Sequence, residues 1–474
     1  MASKALNRRR FLTTSAGFAG GAFFAPNIIL GQGAESANSK LRIACIGIGG
    51  KGESDTGASA DGNDIVAIVD VAGDRLDKAQ QKYPGAKAFN DFRKMFDAMG
   101  DSIDAVTVST PDHTHFVAAM MAVGHRKHVM VQKPMCNTIW EIRELHKAAK
   151  AAGVVTQMGN QGRTMEGQRL AKEWVEQGAI GTLTEIRLWT NRPIWPQGPL
   201  KKTIVEAPAN LNWDAWLSSE PAEPYFEFDV PPGVDAKRGK SVHPFNWRGW
   251  WQFGSGALGD MGCHIMDATF SILGQRIPLK IEVESSEITD TCAPVWTKLT
   301  YHFAASDKFP ALKVTWHDGS KDGKPNKPEP SEFMSSELGK KAFDKASSGM
   351  MFIGTTGVVF EGEAYCGSPS IYPEAKFVEV KQAMVAGTIK KTEARSPKPG
   401  EPQKEWTHVI KNGGTTSSNF DYAAPLTEFV SLGNLAIRSQ QTIVWDKDQM
   451  KVTNVESANK FVKRPSYRPE WFKA

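Results

Sequence analysis

The stretch RIACIGIGGKGESDTGAS, residues 42–59, decides the fold. IACI is a β-branched and apolar run without alternation, the pattern of a strand buried on both faces. Directly after it stands Gly47-Ile48-Gly49-Gly50-Lys51-Gly52, and KGESDTGAS then reads as a helix. A G-x-G-x-x-G alone says little, but between a strand and a helix it has a mechanical meaning. Gly47 permits the tight turn. Gly49, with Gly50 beside it, lets backbone amides approach a pyrophosphate at the helix N-terminus, and Gly52 lets helix and strand pack closely.

The alternation continues downstream. IVAIVD (65–70), AVTVS (105–109), HVMVQ (128–132) and VVTQMG (154–159) read as strands. GDRLDKAQQKY (73–83), HFVAAMMAVG (115–124) and IWEIRELHKAAKAA (139–152) read as helices. Strands alternating with helices predict βαβ units on a parallel sheet, hence an α/β fold with a Rossmann dinucleotide-binding domain over residues 40–160. Asp70 ends its strand close to the ~20 residues expected for a carboxylate that accepts from a ribose 2′-OH. That favours NAD, while the neighbouring Arg75 keeps NADP open. Ligands of such sheets sit beyond the carboxyl ends of the strands. There the chain offers Thr110-Pro111-Asp112-His113-Thr114-His115 and Gln132-Lys133-Pro134. Lys133 at such an end can reach over a nicotinamide. His113, His125 and His128 are read as structural or exposed.

Residues 161–474 predict an α+β substrate-binding domain with a large, mostly antiparallel sheet and a C-terminal helix and tail. LTEIRLWTN (183–191) alternates as a half-buried strand does, and DYAAPLTEFVSLGNLAIR (421–438) reads as a helix. DGSKDGKPNKPEPSE (318–332) reads as a surface loop. Seven of the fourteen tryptophans fall between Trp189 and Trp251. Aromatic faces beside polar groups suit a sugar ring, although for any single tryptophan an anchoring role is the plainer reading. Trp247 and Arg248 are the substrate candidates.

GDMGCHIMD (259–267) places Asp260, His264 and Asp267 on one stripe of a helix. Histidine accepts a hydroxyl proton near neutral pH, Asp267 would fix its tautomer, and Asp260 would hold a substrate hydroxyl. Asp260, Cys263 and His264 could instead ligate zinc, or simply pack, but no fourth ligand is suggested and no metal is expected. Gly254, Gly256, Gly259 and Gly262 suggest close backbone approach to a ligand or a tight helix entry.

Taken together, these motifs resemble the glucose–fructose oxidoreductase, inositol dehydrogenase and rhizopine-catabolism group, Gfo/Idh/MocA. The likeness rests on Gly47, Gly49 and Gly52; Thr110, Pro111 and His115; Lys133 and Pro134; and Asp260 and His264, in that order. One departure is Gln132, where the family carries glutamate. The resemblance implies that Gly47, Gly49, Gly50, Gly52, Asp70, Thr110, Pro111, His115 and Lys133 hold the cofactor. It makes Lys133, Asp260 and His264 the catalytic set. The implied activity is hydride transfer between NAD, or NADP, and a hydroxyl carbon of a sugar, glycoside or cyclitol. The alternatives are a glycoside hydrolase that recycles NAD by oxidation and elimination, and a non-enzymatic sugar binder. A carbohydrate or polyol partner and a homo-oligomer are expected.

The N-terminus adds a cellular address. Asn7-Arg8-Arg9-Arg10-Phe11-Leu12 followed by a weakly apolar, small-residue run resembles a twin-arginine export signal over residues 1–33, which implies a periplasmic protein. Removing that segment takes four of the 57 Lys and Arg residues and none of the 52 acids. The formal charge falls from +5 to +1, so nothing points to nucleic acid, and no stable membrane insertion is expected after signal removal. Five scattered cysteines suggest no disulfide framework.

Overall fold

The computed structural model describes residues 40–230 and 238–473. The stretch read as an export signal lies outside the described residues. In the first half the strands are β1 (Arg42–Ile46), β2 (Asp64–Val69), β3 (Lys87–Phe89), β4 (Ala105–Val108), β5 (His128–Val131) and β6 (Thr156–Met158). They alternate with α1 (Lys51–Ser59), α2 (Gly73–Lys82), α3 (Phe92–Met99), α4 (Asp112–Gly124) and α5 (Ile139–Ala152). All six strands are parallel, in the order β3-β2-β1-β4-β5-β6, the doubly wound arrangement. β3 and α3 were not assigned from the sequence, because β3 is three residues long with two of them exposed and leaves no periodic signal.

The second half is built on one mixed sheet. After α6 (Glu166–Glu176) come β7 (Leu183–Thr190), β8 (Lys202–Ile204), α7 (Trp213–Leu217), β9 (Phe226–Phe228) and α8 (Gly256–Ile272). Then follow β10 (Lys280–Ser285), β11 (Trp296–Phe303), β12 (Leu312–Lys321), β13 (Lys324–Pro325), α9 (Glu337–Lys345), β14 (Gly349–Gly354), β15 (Val358–Glu361) and β16 (Ser370–Tyr372). Helices α10 (Glu374–Val385), α11 (Pro402–Asn412) and α12 (Phe420–Ser439) complete it. The strand order is β10-β11-β12-β7-β14-β15-β16, antiparallel except where β7 lies parallel to β12. The polar stretch beginning at Asp318 is not a loop throughout. Asp318 is buried in β12, where its carboxylate accepts from Thr297 and from the Trp316 indole, while residues 320–325 around the β12–β13 turn, with Glu329, Pro330 and Glu332, are exposed.

Residue 160 separates the two sheets in sequence but not in packing. Helix α11 returns to the parallel sheet and buries Trp406 among Ile43, Cys45, Ile65, Ile68 and Met130. Its indole donates to the Val155 carbonyl. Helix α12 packs on α5 and on α8. Gly262 of α8 leaves room for this, since a Cβ there would meet Val430 at 2.6 Å. The tail adds an aromatic cluster in which Tyr467 and Phe472 pack on Phe116 and Trp140.

Trp406→Ala is therefore expected to destabilise the parallel-sheet half, although the residue lies far from it in sequence. A fully buried tryptophan truncated to alanine costs about 3–5 kcal/mol. Urea unfolding followed by far-UV circular dichroism checks this, and a loss under 1 kcal/mol would mean that α11 is only loosely docked.

Candidate active site

Strand register gathers the candidate residues. Ile46 pairs with Val69 on one side and Val108 on the other, and Val108 pairs with Val131. Gly47, Asp70, Ser109 and Gln132 therefore leave the sheet side by side at its carboxyl edge. They open into a cleft of about 420 Å³, lined from the first half by Gly47, Gly49, Gly50, Asp70, Thr110 and Lys133. The turn fits a dinucleotide because only glycine fits the turn. A Cβ on Gly47, at φ +78°, would sit 2.7 Å from the Ser109 carbonyl, and one on Gly52 would sit 1.9 Å from the Gly47 carbonyl. Gly52 is thus a packing residue under the turn and does not line the cleft. Asp70 is buried, accepting from the Ile48 amide at 3.0 Å and the Ala72 amide at 3.1 Å. Burial pushes its pKa up, against the pull of Arg75 3.8 Å away and of those amides.

The departure at Gln132 has a structural counterpart. Buried Asp55 of α1 accepts from Gln132 Nε2 at 2.8 Å, Ser109 Oγ at 2.7 Å, Lys51 Nζ at 2.6 Å and Gln403 Nε2 of α11 at 2.5 Å. A glutamate at 132 would set two buried carboxylates at hydrogen-bond distance, which is costly unless one is protonated. The amide supplies a donor where the carboxylate needs one. Neither Asp55 nor Gln403 carries a motif that sequence reading could have used.

The reacting end of the cleft is held by an ion pair between the two halves. Lys133 Nζ donates to Asp260 Oδ1 at 3.0 Å and to the Asp260 carbonyl at 2.7 Å. Arg248 Nε donates to the same Oδ1 at 3.2 Å. The Arg248 guanidinium lies 4.2 Å from the Phe245 ring and 4.3 Å from Trp247. Burial alone would push the Asp260 carboxyl up, but the Lys133 and Arg248 charges outweigh it and hold it well below the usual carboxylate range. Asp260 is the only residue of α8 that is not fully buried, so the helix presents it and His264, one turn on, to the cleft. Burial, with the Lys133 charge adding to it, holds the His264 pKa well below its ordinary value.

Several expected contacts are absent. Asp267 does not fix the His264 tautomer. Its carboxylate is taken by the Tyr422 hydroxyl and Asn160 Nδ2, beneath α8. His264 Nδ1 is buried without a hydrogen-bond partner, and the Tyr365 ring stands edge-on to the imidazole at 4.9 Å. The Asp260 carboxylate is shared by two cations through one oxygen, Oδ1. Cys263 turns into the core toward Thr427, away from Asp260. His115 is placed outside the cleft. It joins the carbonyls of Thr110 and Pro134 at 2.8 Å each, and so braces the two loops that carry Thr110, Pro111 and Lys133. His113 is likewise structural, bonded to the Trp216 and Phe253 carbonyls. Of the seven clustered tryptophans only Trp195, Trp216 and Trp247 line the cleft, while Trp189 and Trp250 are core. Gly254 abuts the backbone of Arg248, so the glycine run serves packing.

The aromatic segment does something sequence reading missed. It crosses to the β2–α2 loop, where Gly73 N donates to the Asn210 carbonyl and Asn212 N to the Val71 carbonyl, both at 2.8 Å. Trp216, His243, Pro244 and Phe245 thereby face Asp70 and Arg75 across one cleft. Also unassigned from sequence was Asp112, within the quoted Thr-Pro stretch. It is buried at the cleft, with Oδ2 accepting from Ser255 Oγ at 2.7 Å, and burial pushes its pKa up to about 7.

That shift fixes a sign. The folded pKa of Asp112 lies above the unfolded value of 3.8, so its contribution to stability is full below about pH 4 and lost as pH rises through 7. Asp112→Asn keeps the acceptor for Ser255 without the charge. At fixed cofactor loading its stability relative to wild type, read by urea unfolding, is expected to rise by about 2–3 kcal/mol between pH 5 and pH 8. A constant difference across that range would show that Asp112 does not titrate there.

Comparison with known proteins covers both halves. Residues 41–160 match the profile described as "Oxidoreductase family, NAD-binding Rossmann fold". Residues 187–309 match that family's "C-terminal alpha/beta domain". The chain is 32% identical over 117 residues to a scyllo-inositol 2-dehydrogenase (NADP+) of Bacillus subtilis, covering 24% of this chain and 35% of that one. It is 24% identical over 199 residues to levoglucosan dehydrogenase of Pseudarthrobacter phenanthrenivorans, covering 42% of this chain and 40% of that one. The match thus spans well under half the length of these two relatives. Among solved structures, the WlbA dehydrogenase of Bordetella pertussis, in complex with NADH and UDP-GlcNAcA, shares the fold with a TM-score of 0.56 at 15% identity, over 86% of this chain and 99% of that one. With both halves matched in order, over just above half of its length, the chain belongs to the Gfo/Idh/MocA family of oxidoreductases.

Proposed function

We propose that the protein transfers a hydride between a nicotinamide cofactor, NAD by preference, and a hydroxyl-bearing carbon of a sugar, glycoside or cyclitol. The observation that carries this reading is Lys133, ion-paired across the two halves to Asp260 and set with His264 at the open end of a glycine-lined dinucleotide cleft. The names of the scyllo-inositol and levoglucosan dehydrogenases support the substrate class.

When bound, the nicotinamide supplies the hydride acceptor or donor. The chain's own residues manage the alcohol. Lys133 has three N–H donors, of which Asp260 takes two, leaving one for a substrate oxygen in the cleft. That donor stabilises negative charge on the oxygen as the C–H bond weakens. Asp260 holds the ammonium in place, and Arg248 shares the same carboxylate oxygen. His264 stays neutral far below pH 6.5, so it is available to take the hydroxyl proton. Its low basicity and the Lys133 charge mean that the proton is not retained on His264 but is released to solvent as the carbonyl forms. Asp70 holds the ribose end, and its charge opposes a 2′-phosphate.

The export reading and the cleft architecture bear on each other. With little free nucleotide outside the cytoplasm, a dehydrogenase that released its cofactor would stop after one loss. The described stretches 210–230 and 238–247, the first bonded onto the β2–α2 loop, give the cofactor a second wall and favour a slow off-rate. We therefore expect NAD to be held through the reaction and reoxidised in place.

Two outcomes test this function. Lys133→Met should keep nucleotide content unchanged while bound-NADH formation in the presence of an oxidisable sugar falls by ~10²–10⁴-fold. Equal loss of nucleotide and turnover would make Lys133 a cofactor clamp instead. Heat-denatured mature protein should release NAD or NADH near one per chain, read by absorbance after filtration. Nucleotide-free protein that turns over briskly with added NAD would make it an ordinary exchangeable dehydrogenase.

A further inference from the structure

The reacting end of the cleft holds more cationic side chains than it can neutralise. Lys133 and Arg248 share the single Asp260 carboxylate, on the same oxygen. Arg192 also lines the cleft. Its guanidinium donates to the neutral Asn191 side chain at 2.6 Å and, among the described residues, pairs with no carboxylate. It lies close enough to His264 to be among the charges that disfavour the imidazolium. The remaining nearby acid, Asp112, is buried, and one of its oxygens is committed to Ser255. An oxidised nicotinamide would add a further positive charge at this end.

Arg192 is also held as a receptor is held. It follows β7 directly, its carbonyl accepts from the Gly319 amide at 2.7 Å, and its own amide donates to Thr190 Oγ1 at 3.3 Å. The backbone is thus fixed at the rim while the planar fork is free to meet a ligand. A guanidinium in that state suits carboxylate or phosphate, which it can bind with two parallel hydrogen bonds. Gln161 and Tyr365 line the same cleft and supply no charge.

We propose that the substrate ring carries an anionic substituent, a carboxylate or a phosphate, received by Arg192 while the reacting carbon faces Lys133 and His264. This deepens, and rests on, the reading of the site as a sugar or cyclitol oxidoreductase. A neutral ring would leave the excess charge uncompensated, whereas an acidic one neutralises it. The anion also fixes which hydroxyl is presented to His264.

The test compares matched probes on the cofactor-loaded protein: D-glucose, D-glucuronate and D-glucose 6-phosphate, with their methyl glycosides. Bound-NADH absorbance reads turnover, and quenching of tryptophan fluorescence reads binding without turnover, since Trp195 and Trp247 line the cleft. The acid of a pair is expected to exceed its neutral partner in kcat/KM by roughly 10- to 100-fold, with a preference that shrinks at 0.5 M salt. Preference for the uronate over the phosphate, or the reverse, identifies the anion. Arg192→Gln should bring the acid down to its neutral partner through KM, whereas any change in kcat through the charge around His264 falls on both probes alike. Acid and neutral probes of equal efficiency, or an Arg192→Gln effect equal on both, overturn the proposal while leaving the oxidoreductase reading intact. Acid that binds in an Arg192-dependent way but never reduces the cofactor upholds the subsite and overturns the oxidoreductase reading. Probes that neither bind nor react overturn both.

Discussion

Lys133 and Asp260 form a nearly buried ion pair between the end of β5 and the middle of α8, and the site depends on it. Each charge is stranded without the other, because burial of either alone is costly. The pair orients one ammonium at the cleft and leaves it short of one acceptor. It also ties the two halves together at the cleft, since Lys133 follows β5 of the parallel sheet and Asp260 lies on α8. Arg248 shares the carboxylate, so the charge on Asp260 survives even while Lys133 turns toward substrate.

The fold was legible wherever one strand or helix carries its own signal. The parallel sheet followed from uninterrupted apolar runs and from the glycine turn, whose steric demand the structure shows at Gly47 and Gly52. The meeting of Lys133, Asp260 and His264 at one cleft was legible because they stand at a strand end or on a helix beside a glycine run. What escaped was everything set by contacts distant in sequence. Asp55 meets Gln132 from 77 residues before it, and Gln403 reaches the same Asp55 carboxylate from 348 residues further along the chain. Nothing local marks a residue that matters because of such neighbours. The error over Asp267 has the same origin. Helical spacing put it on the stripe of His264, but Tyr422 and Asn160 hold its carboxylate on the other side of the helix.

The tryptophan-rich segment shows how one composition serves two purposes. Trp189 and Trp250 are interior anchors, and Trp213 stacks on Trp216 within the short helix α7. Such anchoring lets a stretch with little helix or strand act as the far wall of a cleft. His115 illustrates the complementary economy on the other wall. A single buried imidazole, kept neutral by burial that pushes its pKa to about 4, ties the loop after β4 to the loop after β5. It does not itself line the cleft.

Trp406 has a consequence for how the chain matures. The side of the parallel sheet formed by Ile43, Ile65 and Met130 closes only when a helix from the far end of the chain arrives to cover it. During synthesis, therefore, the first half cannot finish its interior as it leaves the ribosome, although its strands are local enough to begin. Several hundred residues must be made before that apolar face is shielded from other chains. Folding should accordingly be completed after translation and be slow for a domain of this kind, because the closing contact spans most of the polypeptide. During that interval the exposed face of the sheet is the part of the molecule that a chaperone would cover.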